Sequence, residues 1–94
     1  MKRVDSNQAE IVQALRKVGA DWIPTSEDPR SGCDGFIAFR SRLYIAEIKD
    51  GSKPASAKRL TEKELLRKAS VERCGVVYNI IESVDDALKL IGVI

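Results

Sequence analysis

The stretch from Asp34 to Lys49, D-G-F-I-A-F-R-S-R-L-Y-I-A-E-I-K, constrains the fold more than any other part of the chain. Two apolar runs, Phe36 to Phe39 and Leu43 to Ala46, flank the polar Arg40-Ser41-Arg42, which is the pattern of two strands joined by a tight turn. Strand side chains alternate between faces, so Leu43, Ile45, Glu47 and Lys49 share one face while Tyr44, Ala46 and Ile48 share the other. An acid and a lysine therefore end an otherwise apolar strand. Folding the hairpin about Ser41-Arg42 predicts Asp34 opposite Lys49 or close to it, because directly opposed residues share a face. Two carboxylates and an ammonium are expected to converge at one end of the hairpin.

The remaining segments supply elements around it. A helix is expected from Ser6 to Val18, capped by Asp5 with Gln8 three residues on and stopped at Gly19; Ile11, Ala14, Leu15 and Val18 form its apolar stripe and Glu10 borders that stripe. Trp22-Ile23 reads as an edge strand that Pro24 cuts short, and Thr25 to Gly32 as loop. Asp50-Gly51 marks a turn, and Ser52 to Lys58 follows neither period, as expected of a mobile basic loop. Thr61 with Glu64 is a capping box that opens a second helix, predicted to turn Leu65, Leu66 and Ala69 inward and to end near Gly75. The β-branched run Val76 to Ile81 predicts a buried strand, and Ser83 with Asp86 caps a last helix whose Val84, Ala87, Leu88 and Ile91 face inward. The order is α-β-β-β-α-β-α. A helix between the third and fourth strands implies a crossover, hence a parallel pair in a central mixed sheet.

Ninety-four residues suit a single domain, 1–94, with self-association a sensible expectation at this size. The net charge of +2 makes a weak case for a polyanionic partner, yet Lys53, Lys58, Arg59, Lys63, Arg67, Lys68 and Arg73 crowd one third of the chain. Such a run tracks a phosphate backbone or simply solvates a helix face, with Glu64 and Lys68 paired. No apolar run approaches a membrane span, and the start of the chain does not read as a secretory leader. Cys33 and Cys74 are too few for a disulfide framework or a zinc site and are expected to be small packed residues. Reduced thiols and a cytoplasmic location are expected, in the host cytoplasm if the chain is phage-encoded. Histidine is absent, and with no phosphate-cradling glycine motif the common hydrolase constellations lack a general base. That leaves the acids and Lys49. Two carboxylates and a strand carbonyl suffice to hold Mg²⁺ against a phosphate; water activated there can attack, and a lysine can orient or deprotonate it if the site lowers the lysine's pKa.

Asp34 stands thirteen positions before Glu47-Ile48-Lys49 in an α-β-β-β-α-β order, and this resembles the PD-(D/E)XK nuclease superfamily. The runs G-C-D-G, A-E-I-K and R-L-T-E-K-E are similar to the virus-type replication-repair nuclease (VRR-NUC) domain, including its small stand-alone phage and bacterial members. The resemblance spans Glu10 to the last helix. It implies a restriction-endonuclease-like α/β fold and an Mg²⁺- or Mn²⁺-dependent, structure-specific DNA endonuclease acting on branched DNA such as four-way junctions, as a homodimer. It places Asp34 and Glu47 as metal-binding acids, the Ile48 carbonyl as a further ligand, Glu10 as a helix-one acid facing the metal, and Lys49 as the catalytic lysine. Lys53, Lys58, Arg59 and Lys63 are then the DNA-contacting cations. Two departures stand out: Cys33 where proline commonly precedes the first acid, and Glu64 where the second helix often has glutamine. The competing readings are a non-catalytic nucleic-acid-binding module and a nuclease acting on flaps or linear duplex.

Overall fold

The computed structural model describes residues 6–94. Helix α1 (Gln8–Lys17) leads into β1 (Asp21–Pro24), β2 (Gly35–Phe39) and β3 (Arg42–Ile48); a 3-10 turn (Ala55–Lys58), α2 (Glu62–Arg73), β4 (Tyr78–Ile81) and α3 (Val84–Leu90) complete the chain. The strands form one four-stranded sheet in the order β1-β2-β3-β4, antiparallel except for the β3–β4 pair, which is parallel. The expected α/β order and mixed sheet are therefore present. Among the described residues no helix is long and apolar enough to cross a membrane.

The β2–β3 hairpin closes on Arg40 and Ser41, both with positive φ (47° and 66°), and its register pairs Phe39 with Arg42. Two left-handed residues give the turn whose twist matches the flanking strands. Alternation then sorts the side chains: Trp22, Ile37, Ala46, Ile48 and Ile81 lie on one face and join Ile11, Val12, Leu15, Ala87 and Ile91 in a single core. Helices α1 and α3 pack together there, while α2 lies against β4. Gly35 is required at its place, because a Cβ would meet the Trp22 ring at 2.7 Å and the Ile23 carbonyl at 2.6 Å.

Helix ends follow local chemistry. After α1, the Gly19 N–H donates to Arg16 O and the Ala20 N–H to Leu15 O; after α2, Gly75 and Val76 donate to Glu72 O and Val71 O in the same way. Both are Schellman stops with a left-handed glycine, as the sequence predicts. At the start of α1 the cap position is Asn7, without a side-chain capping bond, and Asp5 lies outside the described residues. Asn7 instead donates from Nδ2 to the Lys49 and Glu82 carbonyls, tying α1 to the ends of β3 and β4.

Several packing expectations are corrected. Leu65 and Leu66 are 54% and 64% exposed and Ala69 is also exposed, whereas Glu64 is the buried residue of α2. The helix turns inward the side that meets the polar end of the sheet. Strand β4 starts at Tyr78, and Val76, Val77 and Ile80 are exposed because β4 is an edge strand with β3 on one side only. In α1, Val12 is buried while Val18 lies at the exposed end of the helix. Cys33 is buried as expected, but Cys74 is exposed. The segment expected to be wholly irregular contains the short 3-10 turn.

Candidate active site

Glu47 sits on the face of β3 opposite the core and is 0% exposed; Asp34, Lys49 and Glu64 are 3%, 8% and 2% exposed. Buried acids at the end of an apolar strand are uncommon unless paired, hydrogen-bonded or bound to metal. Here the arrangement is built from three elements. The regular β2–β3 ladder ends at Gly35 opposite Ala46. Beyond it the Asp34 N–H donates to the Ala46 carbonyl, and the Asp34 Oδ2 accepts the Ile48 N–H at 2.7 Å, so a carboxylate takes the place of the next backbone acceptor. The turn falls on Arg40-Ser41 and not on Ser41-Arg42, so the register carries Asp34 toward Glu47 where the sequence predicts Lys49, and the Asp34 carboxylate docks on the Ile48 N–H.

Lys49 Nζ lies 3.3 Å from Glu47 Oε2 and 3.0 Å from Glu64 Oε1. Burial alone would lower the Lys49 ammonium; the hydrogen bond to Glu64, then the charges of Glu47 and Glu64, outweigh it and hold the group above the ordinary lysine value. The site does not depress this lysine toward neutrality, and Lys49 stands as an ammonium at neutral pH. Glu64 has a double attachment. Its Oε1 also accepts the Thr61 N–H at 2.9 Å while its own N–H donates to Thr61 Oγ1, so the capping box of α2 is complete and joined to the strand-end lysine. Glu64 is therefore at once the capping-box partner of Thr61, as the sequence predicts, and a buried partner of Lys49.

No family model, curated protein or solved structure matches the chain. What the site can do rests on its own chemistry.

Of the other expected site residues, Ile48 is fully buried and contributes its N–H to Asp34. Glu10 is not brought to this group. It is exposed on α1 and lines a separate surface cleft with Asn7, Asp50, Glu82 and Asp86, because α1 covers the core face of the sheet and Glu47 points to the other. Among the described residues no three His, Cys, Asp or Glu side chains form a ready-made metal cage. The remaining donors still fit a hard divalent cation, since Mg²⁺ commonly takes one or two carboxylates and keeps water and phosphate as its other ligands. Asp34 and Glu47 would hold it.

Beside the site, the loop before Asp34 and the first turn of α2 enclose a cleft of about 720 Å³ whose walls include Ser26, Asp28, Cys33, Thr61, Lys63 and Glu64. Lys53 and Arg59 are exposed and Lys63 is exposed at the rim of this cleft. Lys58 is different: half-buried, it donates to Glu82 Oε1 at 2.7 Å, which takes it out of the set of plain surface cations. Sequence reasoning gave no part to Tyr78 or Thr25 and counted Arg67 only in the basic run, whereas it donates to the Arg30 and Ser31 carbonyls of the loop before Asp34. Tyr78 is 4% exposed and its hydroxyl donates to the Gly32 carbonyl at 2.7 Å. Burial first, then the charges of Glu47 and Glu64, push its phenol far above the usual tyrosine value.

Proposed function

We propose that this chain is a restriction-endonuclease-like, metal-dependent DNA endonuclease that hydrolyses phosphodiester bonds, with branched DNA as its substrate and Mg²⁺ or Mn²⁺ as its cofactor. One observation carries the reading: at the end of β3, under the first turn of α2, buried Lys49 bridges Glu47 and Glu64 while the buried Asp34 carboxylate docks on the N–H of Ile48, the residue between Glu47 and Lys49. A divalent ion held by the two carboxylates supplies Lewis-acid polarisation of the phosphoryl group and of the attacking water. Lys49, kept protonated by Glu64 and Glu47, offsets the negative charge that grows on the phosphoryl oxygens. Glu64 keeps that ammonium in place. The test is a panel of labelled substrates (linear duplex, flap, fork and four-way junction) incubated with Mg²⁺, Mn²⁺ or EDTA. Cleavage fastest on the junction and absent in EDTA is the expected result; cleavage unaffected by EDTA rejects the metal, and no cleavage of any substrate rejects the nuclease.

One observation favours the competing reading, a non-catalytic nucleic-acid-binding module. Lys49 is satisfied by Glu47 and Glu64 as an ordinary buried ion pair. In that case the panel gives binding without cleavage, indifferent to divalent ions.

DNA contact is assigned to Lys53, Arg59 and Lys63. Replacing each by alanine should weaken binding to all sequences and reduce the slope of log affinity against log salt by roughly one per contact. Lys58→Ala should change the slope least, since its ammonium is engaged by Glu82. Slopes unchanged from wild type in all four variants would assign these charges to solubility alone.

The working species is proposed to be a homodimer, which presents two sites to the equivalent strands of a two-fold-symmetric junction. Exposed apolar side chains support it: Leu43 of β3, Leu65 and Leu66 of α2 and Val77 just before β4 are each more than half exposed, and the β4 edge of the sheet is open. Light scattering at working concentration should give twice the monomer mass, and a monomeric mass sinks this part of the proposal.

A further inference from the structure

The backbone that delivers Asp34 has no regular structure, yet each successive carbonyl from Arg30 to Cys33 accepts a side-chain hydrogen bond, from α2, from β4 or from the loop itself. Arg67 of α2 donates from Nη2 to Arg30 O at 2.8 Å and from Nε to Ser31 O at 2.9 Å. Thr25 Oγ1 and Ser31 Oγ both donate to Cys33 O at 3.0 Å. Between these, Gly32 O accepts the Tyr78 hydroxyl at 2.7 Å. Gly32 is also closely confined by α2. Its φ is +67°, and an added Cβ would meet the Arg67 Cβ at 2.5 Å, so the position must be glycine, the residue whose backbone resists fixing most. Tyr78 lies on β4 opposite Ile45, on the same face as Glu47 and in the charge field of Glu47, Glu64 and Asp34. Its ring thus lies on the face of the sheet that carries Glu47, and its hydroxyl ends on the loop that carries Asp34.

We propose that Tyr78 is a positioning residue for the metal site, its hydroxyl fixing the Gly32 carbonyl and through it the Asp34 carboxylate two residues on. The inference rests on the metal-dependent reading above and adds a residue to it. Asp34 has to present an oxygen to the cation while its Oδ2 keeps the Ile48 N–H, a compromise that tolerates little drift of the loop. Groups that orient a metal ligand from behind are commonly worth 10- to 100-fold in metal affinity.

The experiment uses the full chain and measures Mn²⁺ binding by calorimetry for wild type, Tyr78→Phe and Asp34→Asn, with amide exchange of residues 25–34 followed in EDTA. Phenylalanine keeps the buried ring and removes only the donor. Mn²⁺ binding by Tyr78→Phe weakened by about tenfold, together with faster exchange of the Asp34 amide, is the expected result, with Asp34→Asn weakened further. Should Tyr78→Phe bind Mn²⁺ as wild type does while Asp34→Asn does not, the positioning role is overturned and the metal reading stands. A wild-type chain that binds no Mn²⁺ overturns both. If Tyr78→Phe melts lower yet its folded fraction binds Mn²⁺ normally, the hydroxyl is structural only and the inference fails.

Discussion

Asp34→Asn, Glu47→Gln and Lys49→Met are each expected to lower Mg²⁺-dependent cleavage by on the order of 10³-fold or more, and any pair to do little worse than one alone, because an interdependent catalytic set fails when one member is lost. These substitutions are chosen over alanine for a structural reason. Asparagine at 34 can still accept the Ile48 N–H, so it removes charge and leaves the docking of the loop in place. Alanine at 49 would leave Glu47 and Glu64 buried without their ammonium, which costs about 3–5 kcal/mol and confuses lost catalysis with lost folding. Methionine removes the ammonium as fully as alanine does but keeps the packing of the buried stem, so activity is to be referred to the folded fraction. Calcium should occupy the acids and support binding with little turnover, since its looser coordination orients phosphate and water poorly. Near-normal turnover by Glu47→Gln in Mg²⁺ would show that the chemistry lies elsewhere.

How far the sequence foretells this arrangement depends on the range of the interaction. The tight hairpin, the glycine stops at Gly19 and Gly75 and the Thr61–Glu64 capping box are decided within a few residues, so composition and spacing reveal them. The acid and lysine on one face of β3 follow from alternation alone. Errors begin where tertiary packing chooses among equals. Leu65 and Leu66 look like the inward side of α2, but that helix covers a charged strand end, and it buries Glu64 and half-buries Arg67 and Val71 in their place. The run Val76 to Ile81 looks buried on its β-branched content, although the sheet ends at β4 and leaves Val77 and Ile80 exposed. Asp34 falls short of Lys49 because Arg40 and Ser41, and not Ser41 and Arg42, take the two left-handed turn positions, which shifts the pairing by two residues. Glu10 sits one helical turn from Asn7 and looks well placed for the site, yet α1 lies on the core face of the sheet. The Tyr78–Gly32 bond joins residues 46 apart and has no local signature at all.

Glu64→Ala is expected to lower stability by about 3 kcal/mol, the combined order of a lost cap and of a buried ammonium deprived of one of its two partners. For a domain of this size about 1 kcal/mol moves Tm by roughly 4–8 °C, so a fall of ~12 °C or more should be seen. Two controls separate the parts of that loss. Thr61→Ala removes the hydroxyl that accepts the Glu64 N–H but leaves Glu64 Oε1 on Lys49, and should cost about 1 kcal/mol. Glu64→Gln keeps a side-chain carbonyl for the Thr61 N–H and loses only the charge beside Lys49. The sign of the pH dependence identifies the group involved. Lys49 is raised in the folded chain, so the stability it gains from Glu64 and Glu47 is fully present below the ordinary lysine value of about 10.4 and is lost as pH climbs through the raised value. The gap in Tm between wild type and Glu64→Gln should therefore be flat through neutral pH and on the alkaline side close only in strong alkali. Coupling between Glu64→Gln and Lys49→Met in a double-mutant cycle should reach about 1 kcal/mol or more. If Glu64→Ala costs no more than Thr61→Ala, the carboxylate is only a helix cap, and Lys49 would have to be held by Glu47 alone at its longer 3.3 Å contact.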